Sequence, residues 1–440
     1  MFSHTIKSKA QQFCSIVQSI NLIKKAIHFS IFKKTKTGRQ LQFVHASSKT
    51  FYVEKKSVTR IYPFLAVIIA ALFFVSCQKE ELSDPVLNTT TSGDLSASAS
   101  GNTPPRVDAG SMKRIVYPTN TATLTGSGSD AEGSVTYKWT QTSGPSNATI
   151  AQPTKATTDV SNLKPGVYTF LLTVTDKGGK SRTDSTNVTV LQKMTWTISG
   201  VTREALVHPA TGGSGQPAVI FAFHGHGGTD LGFAERAFEV SWPEAIVVYP
   251  QGLPTQSHED KAGKSAGWQH SVGEVNNRTG IQDQDIKFFD AMLSTFNKSY
   301  NANMNHIFVH GWSNGGDFVY NVLWTARGSK LAALAPAAVT LGTTNGKVTV
   351  PVIHTAGTKD PTVRFSNQQQ TAQQVRTLDK CSSNGTKWAT GPSGLLGTHY
   401  SSSIDAPEVF LQYDGGHSYP FTVPAYIVKF FKEVAGVPAP

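Results

Sequence analysis

A serine between glycines, an aspartate before a proline and a histidine after two glycines follow one another along the C-terminal part of this chain, an order that suits acyl transfer. Gly311-Trp312-Ser313-Asn314-Gly315 has the form G-x-S-x-G and breaks an apolar run, and a helical pattern follows it. Flanking glycines let a serine occupy a sharp turn with its hydroxyl clear of the sheet, so Ser313 is the candidate nucleophile. A serine hydroxyl is unreactive until an imidazole takes its proton and a carboxylate orients that imidazole. Asp360 stands in Gly357-Thr358-Lys359-Asp360-Pro361, just after the strand-like Pro351-Val352-Ile353-His354-Thr355-Ala356, and is the candidate acid. His417 stands in Asp414-Gly415-Gly416-His417-Ser418-Tyr419-Pro420, just after Glu408-Val409-Phe410-Leu411-Gln412-Tyr413, and is the candidate base. Upstream, the apolar run 217–223 enters His224-Gly225-His226-Gly227-Gly228. Backbone N–H groups of Gly225, His226 and Gly227, joined by that of Asn314, are the expected oxyanion hole, each such donor being worth about 3 kcal/mol of barrier.

Other residues compete for these roles. Asp405 and Asp414 could orient the base in place of Asp360, and His224, His226, His270 and His310 compete with His417. His224 and His226 suit holding a loop better than abstracting a proton, and His310, on the nucleophile strand, should face the interior. A zinc site through His224, His226 and Asp230 would need a further histidine where Leu231 stands, so no metal and no cofactor is expected.

These residues need rigid elements behind them. Strand-like apolar segments alternate with helical patterns expected near 282–296, 315–326, 366–378 and 423–434. Roughly 245 residues suffice for one doubly wound sheet with its reactive loops at the strand C-termini. No long insertion separates Ser313 from Asp360, so an open cleft suited to a polymeric or bulky substrate is expected.

The order Ser313, Asp360, His417 is that of an α/β-hydrolase. From about residue 196 to 432 the chain resembles the polyhydroxybutyrate depolymerase and feruloyl esterase group, similar to carbohydrate esterase family 1. The resemblance rests on the three motifs above, the 224–228 loop, Val248-Tyr249-Pro250-Gln251-Gly252, the Trp268 loop and Asp283-Gln284-Asp285-Ile286-Lys287-Phe288. It implies a secreted serine esterase acting on acyl groups of plant polysaccharide, or on polyester, with Trp268, Trp312 and Tyr419 as aromatic walls of the substrate site. Tyr419 stands where the group usually has tryptophan. Many members carry a cysteine pair between the acid and the histidine. Here only Cys381 is present, with Ser401-Ser402-Ser403 in the place of its partner, so no disulfide is expected. A polyester depolymerase with the same triad, or a non-catalytic glycan-binding surface protein, are the competing readings.

The front of the chain is of another kind. Residues 62–76 are almost wholly apolar, follow Lys55, Lys56 and Arg60, and end in Val75-Ser76-Cys77, which resembles a lipoprotein signal peptide cut before a lipidated Cys77. Gln78-Lys79-Glu80-Glu81 resembles the export tag of Bacteroidetes-type surface lipoproteins, so a lipid-anchored protein of the outer membrane is expected. The long basic segment before residue 53 reads as an over-extended start. Positions 1–76 hold twelve Lys/Arg and one acidic residue, the whole of the net charge of +11. The remainder is balanced, and the high isoelectric point implies no nucleic-acid partner. Domains are therefore expected at 1–76 (signal), 77–103 (lipidated Cys77 and a Ser/Thr-rich tether), 104–191 (a β-sandwich) and 193–440 (the α/β domain). A monomer is expected. The sandwich, with Trp139 and Tyr168 as core, resembles the PKD domains of exported bacterial enzymes and suits a spacer better than a polysaccharide-binding module.

Overall fold

A computed structural model describes residues 101–257 and 260–437. Cys77, the apolar segment before it and the tether lie outside the described residues.

Residues from Arg106 onward build the expected sandwich. Ala122–Thr125, Thr157–Ser161 and Thr149–Ile150 form one small sheet. Thr136–Ser143, Gly166–Thr175, Ser181–Ile198 and Lys113–Tyr117 form the facing layer. Trp139 and Tyr168 are buried between the layers with Leu124, Val160, Phe170 and Leu172. Period-two alternation in Gly166–Thr175 places Tyr168, Phe170, Leu172 and Val174 on the same inward face.

The strand Ser181–Ile198 does not stop where the sandwich ends. Its first part pairs with Gly166–Thr175 and its last part with Val201–His208, so the sheets of sandwich and α/β domain are continuous. The second pairing is closed by the two-residue turn Ser199-Gly200, both at positive φ (50° and 86°), the hairpin geometry that matches strand twist. The expected boundary at 191–193 thus falls inside one strand.

Beyond Val201–His208, parallel pairings join Ile246–Pro250, Val219–Phe223, Ile307–Trp312, Ala333–Ala337, Val352–Gly357 and Glu408–Tyr413 in that order. Near-continuous apolar runs mark strands covered on both faces. Val219, Phe221 and Phe223 point to one layer of helices, Gln284–Tyr300 and the helical stretch after Ser313, while Ile220 and Ala222 point to the other, around Val423–Val434. The helix expected at 315–326 runs as Asn314–Asp317, a π-helical turn Phe318–Leu323 and Trp324–Arg327.

The sandwich is also docked by charge. Arg114, on Lys113–Tyr117 and almost wholly buried, lies 3.4 Å from Glu235 and 3.7 Å from Glu239 of the α/β domain.

Candidate active site

Ser313 follows the last residue of strand Ile307–Trp312 with φ 54° and ψ −119°, a strained conformation outside the helical and extended regions. The neighbouring glycines are required by close approach. A Cβ on Gly311 would sit 2.1 Å from the Gly315 carbonyl oxygen, and one on Gly315 would sit 2.3 Å from that of Phe223.

Ser313 Oγ lies 2.9 Å from His417 Nε2, and His417 Nδ1 lies 2.9 Å and 3.1 Å from the two carboxylate oxygens of Asp360. Asp360 is held from below, with Oδ1 accepting the N–H groups of Thr362 (2.8 Å) and Val363 (2.9 Å). The acid loop and the histidine loop are clamped together. Lys359 N–H donates to Gly415 O at 2.9 Å, Tyr413 Oη donates to Gly416 O at 2.9 Å, and a Cβ on Gly357 would sit 2.4 Å from Gly416 O. The competing acids stand elsewhere: Asp414 is exposed and pairs with Lys359 at 2.8 Å, and Asp405 is exposed on its own turn.

The Asn314 N–H opens the helix after Ser313, where the first N–H groups lack intrahelical acceptors. The loop 224–228 lies against this turn, with Gly225 touching the Trp312 ring. The N–H groups of Gly225 and His226 have no acceptor among the described residues. Gly227 departs from expectation: its N–H donates to Ala266 O at 2.7 Å, so it holds the loop and is not available to an oxyanion. His224 is structural, with Nε2 accepting the Gly252 N–H at 3.0 Å and burial pushing its pKa down to about 4.

Two of the three aromatic walls need correction. Trp268 is fully buried under the 224–228 loop, its Nε1–H donating to His224 O at 2.8 Å and its ring stacked on Phe318. Tyr419 is buried too, its hydroxyl 2.9 Å from His310 Nε2 and its ring beneath the Arg236 guanidinium. Both motif aromatics therefore support the site from behind. Trp312 does line the cleft, half-buried, with its ring centroid 5.2 Å from that of His417.

The cleft over Ser313 has a volume of about 590 Å³ and is walled by His226, Trp312, Asp317, Val339, Thr340 and Val363. At Ser257 and His270 it meets a second hollow of about 490 Å³ lined by Gln256, Lys261, Glu274, Asn276 and Asn277. The sequence offers His270 only as a rival base and does not single out Asp317. The structure joins them at 2.5 Å on the rim, and this hydrogen bond raises the His270 pKa. The available signal is positional, since Asp317 lies one helical turn after Ser313 and so on the same helix face.

Chemically, this is a hydroxyl with a base in line, an acid behind the base and free backbone donors beside it, on a doubly wound sheet: an α/β-hydrolase fold, preceded by a PKD β-sandwich. Residues 109–190 match the family of PKD domains of the KIAA0319-like type. The dyslexia-associated protein KIAA0319 homolog of Mus musculus is 36% identical over 121 residues, 26% of this chain and 11% of that protein, so the chain spans about a tenth of this relative's length. Among solved structures, the PKD domain of the KIAA 1837 protein is 31% identical (TM-score 0.19, 22% of this chain and 93% of that one). An acetyl xylan esterase from Aspergillus awamori is 15% identical (TM-score 0.41, 54% of this chain and 98% of that one).

Proposed function

We propose that this protein is a serine esterase that removes feruloyl or acetyl groups from plant cell-wall polysaccharide, held at the outer cell surface by lipid on Cys77. The observation that carries the reading is the unbroken hydrogen-bonded line from Ser313 Oγ through His417 to Asp360. Ser313 Oγ attacks the ester carbonyl as His417 Nε2 takes its proton, and Asp360 holds the imidazole and stabilises its cationic form. Backbone N–H groups of Asn314, Gly225 and His226 receive the oxyanion. The carbon–oxygen bond to the sugar breaks as His417 returns the proton to the departing oxygen, and a water then repeats the sequence on the acyl-enzyme. No metal or cofactor enters these steps.

A carbohydrate leaving group is supported over a polyester by the second hollow. Its lining of Gln256, Lys261, Glu274, Asn276 and Asn277 offers hydrogen bonds to hydroxyl groups, where a polyester chain would ask for apolar walls. The test is hydrolysis of methyl ferulate, acetylated xylan and a polyhydroxybutyrate film by the chain from Pro104 to Pro440. Turnover of either of the first two is expected, and Ser313→Ala should reduce kcat by about 10⁴-fold or more. Film clearing alone would replace this reading with a polyester depolymerase, and glycan binding without turnover would replace it with a surface binding protein.

A further inference from the structure

Behind the acid lies a line of buried polar groups that the acyl-transfer steps do not use. Asp360 Oδ2, besides facing His417, accepts from Gln368 Nε2 at 3.4 Å. The same nitrogen donates to Val363 O at 2.7 Å, so both amide protons of Gln368 are committed and its Oε1 must accept from whatever lies behind it. His354 Nε2 lies there, at 3.3 Å. An amide oxygen cannot donate, so the proton is on His354 Nε2. Burial pushes the His354 pKa down to about 4, which keeps the ring neutral and leaves Nδ1 a bare acceptor. Tyr320 Oη, 3.0 Å from Nδ1, is then the donor. Burial, and next the charge of Glu408, holds the Tyr320 proton by raising its pKa well above the usual value.

Every bond in the line therefore has one direction, from Tyr320 to His354 to Gln368 to Asp360. The three side chains are fully buried and come from three elements: the π-helical turn Phe318–Leu323 behind the nucleophile, the strand Val352–Gly357 that ends at the acid loop, and the helix Phe365–Leu378 that follows it. Apolar side chains would fill these places without the penalty of burying polar groups. The arrangement makes sense if orientation of the carboxylate is the gain, because a chain of like-directed bonds polarises along its length and pins the plane of its last acceptor.

We propose that Gln368, His354 and Tyr320 are positioning residues: a one-directional hydrogen-bond relay that fixes Asp360 Oδ2 toward His417 and ties the acid loop to the helix carrying Ser313. The proposal rests on the reading of Ser313, His417 and Asp360 as an acyl-transfer triad. Its test uses the full-length protein with Gln368→Met, which keeps shape and removes the donor, Tyr320→Phe, which removes only the hydroxyl, and the two combined.

Gln368→Met is expected to lower kcat about tenfold with KM within about twofold, and Tyr320→Phe to lower it about threefold, the scale of hydrogen bonds to and beyond a charged group. In proton NMR the far-downfield signal of the His417 Nδ1–H bond should move in both variants, a readout that needs no substrate and that general loosening of the core would not shift. Once Gln368→Met has cut the line, Tyr320→Phe should add nothing further. Unchanged kcat and an unmoved signal in both variants, or effects that simply multiply in the combined variant, would overturn the relay. Should Gln368→Met fail to fold, the same two readouts on Tyr320→Phe decide. An inactive wild type would remove the esterase reading, and the NMR signal would still decide the relay.

Discussion

At the scale of single residues, the site depends on atoms approaching closer than any side chain permits. A Cβ on Gly225 would lie 2.7 Å from the Trp312 ring, so Gly225→Ala must push the 224–228 loop away from Ser313. Losing an aligned oxyanion donor predicts a roughly hundredfold fall in kcat with folding retained, checked by kinetics beside a thermal melt. The His270–Asp317 pair makes a prediction in pH. Its hydrogen bond, then burial acting against it, and then the charges of Asp317 and Glu274 leave the folded-state pKa above 6.5. A raised histidine value means that the stabilisation is fully present below pH 6.5 and is lost as the pH rises through the folded-state value. The gap in melting temperature between wild type and Asp317→Asn should accordingly be widest in mild acid and close in alkali. A gap that widens toward alkali would contradict this linkage.

At the scale of elements, the stretch between the acid and the histidine is where this chain departs from the esterase group it resembles. Cys381 stands opposite Ser402 in an antiparallel bridge, with Ser382 N–H bonded to Ser401 O and Ser403 N–H to Lys380 O. That makes 381 and 402 a non-hydrogen-bonded pair, the closer of the two antiparallel spacings and one a disulfide can span. Ser402→Cys should therefore form a bond with Cys381, close a loop of about 20 residues and add about 3 kcal/mol, seen as a melting temperature that falls on reduction. The four expected helices all form, because their apolar spacing is strong and their ends fall near loops. The π-helical turn after Ser313 carries no signal in the local sequence. It reflects the packing of Phe318 and Tyr320 beneath the site.

At the scale of the whole molecule, one strand belongs to both domains. A chain beginning at Lys193 would lose the pairing partners of the sandwich and leave the remaining half-strand as an unprotected sheet edge. It would also leave Glu239, fully buried, without Arg114. Such a chain is expected to melt lower and aggregate more than one beginning at Pro104. Arg114→Ala in the intact protein should reproduce part of the loss, on the order of 3 kcal/mol for breaking a buried ion pair from one side. Equal melting temperatures for the two chains would show that the sandwich is carried as a passive spacer.

The sequence by itself determined what depends on local chemistry and chain order. Ser313, Asp360 and His417 were legible because their turns need glycine or proline next to them, and the alternation of strand and helix was legible because burial on both faces of a sheet leaves continuous apolar runs. It could not tell a wall from a support. Trp268, Trp312 and Tyr419 look alike in their motifs, yet one faces the cleft and two lie beneath it, because facing is set by which layer packs on each side. The committed N–H of Gly227, the rim pair His270–Asp317, the groups behind Asp360 and the strand shared by two domains all join residues far apart in the chain. Only the tertiary structure decided these, since a hydrogen bond between distant segments leaves no periodicity in either of them.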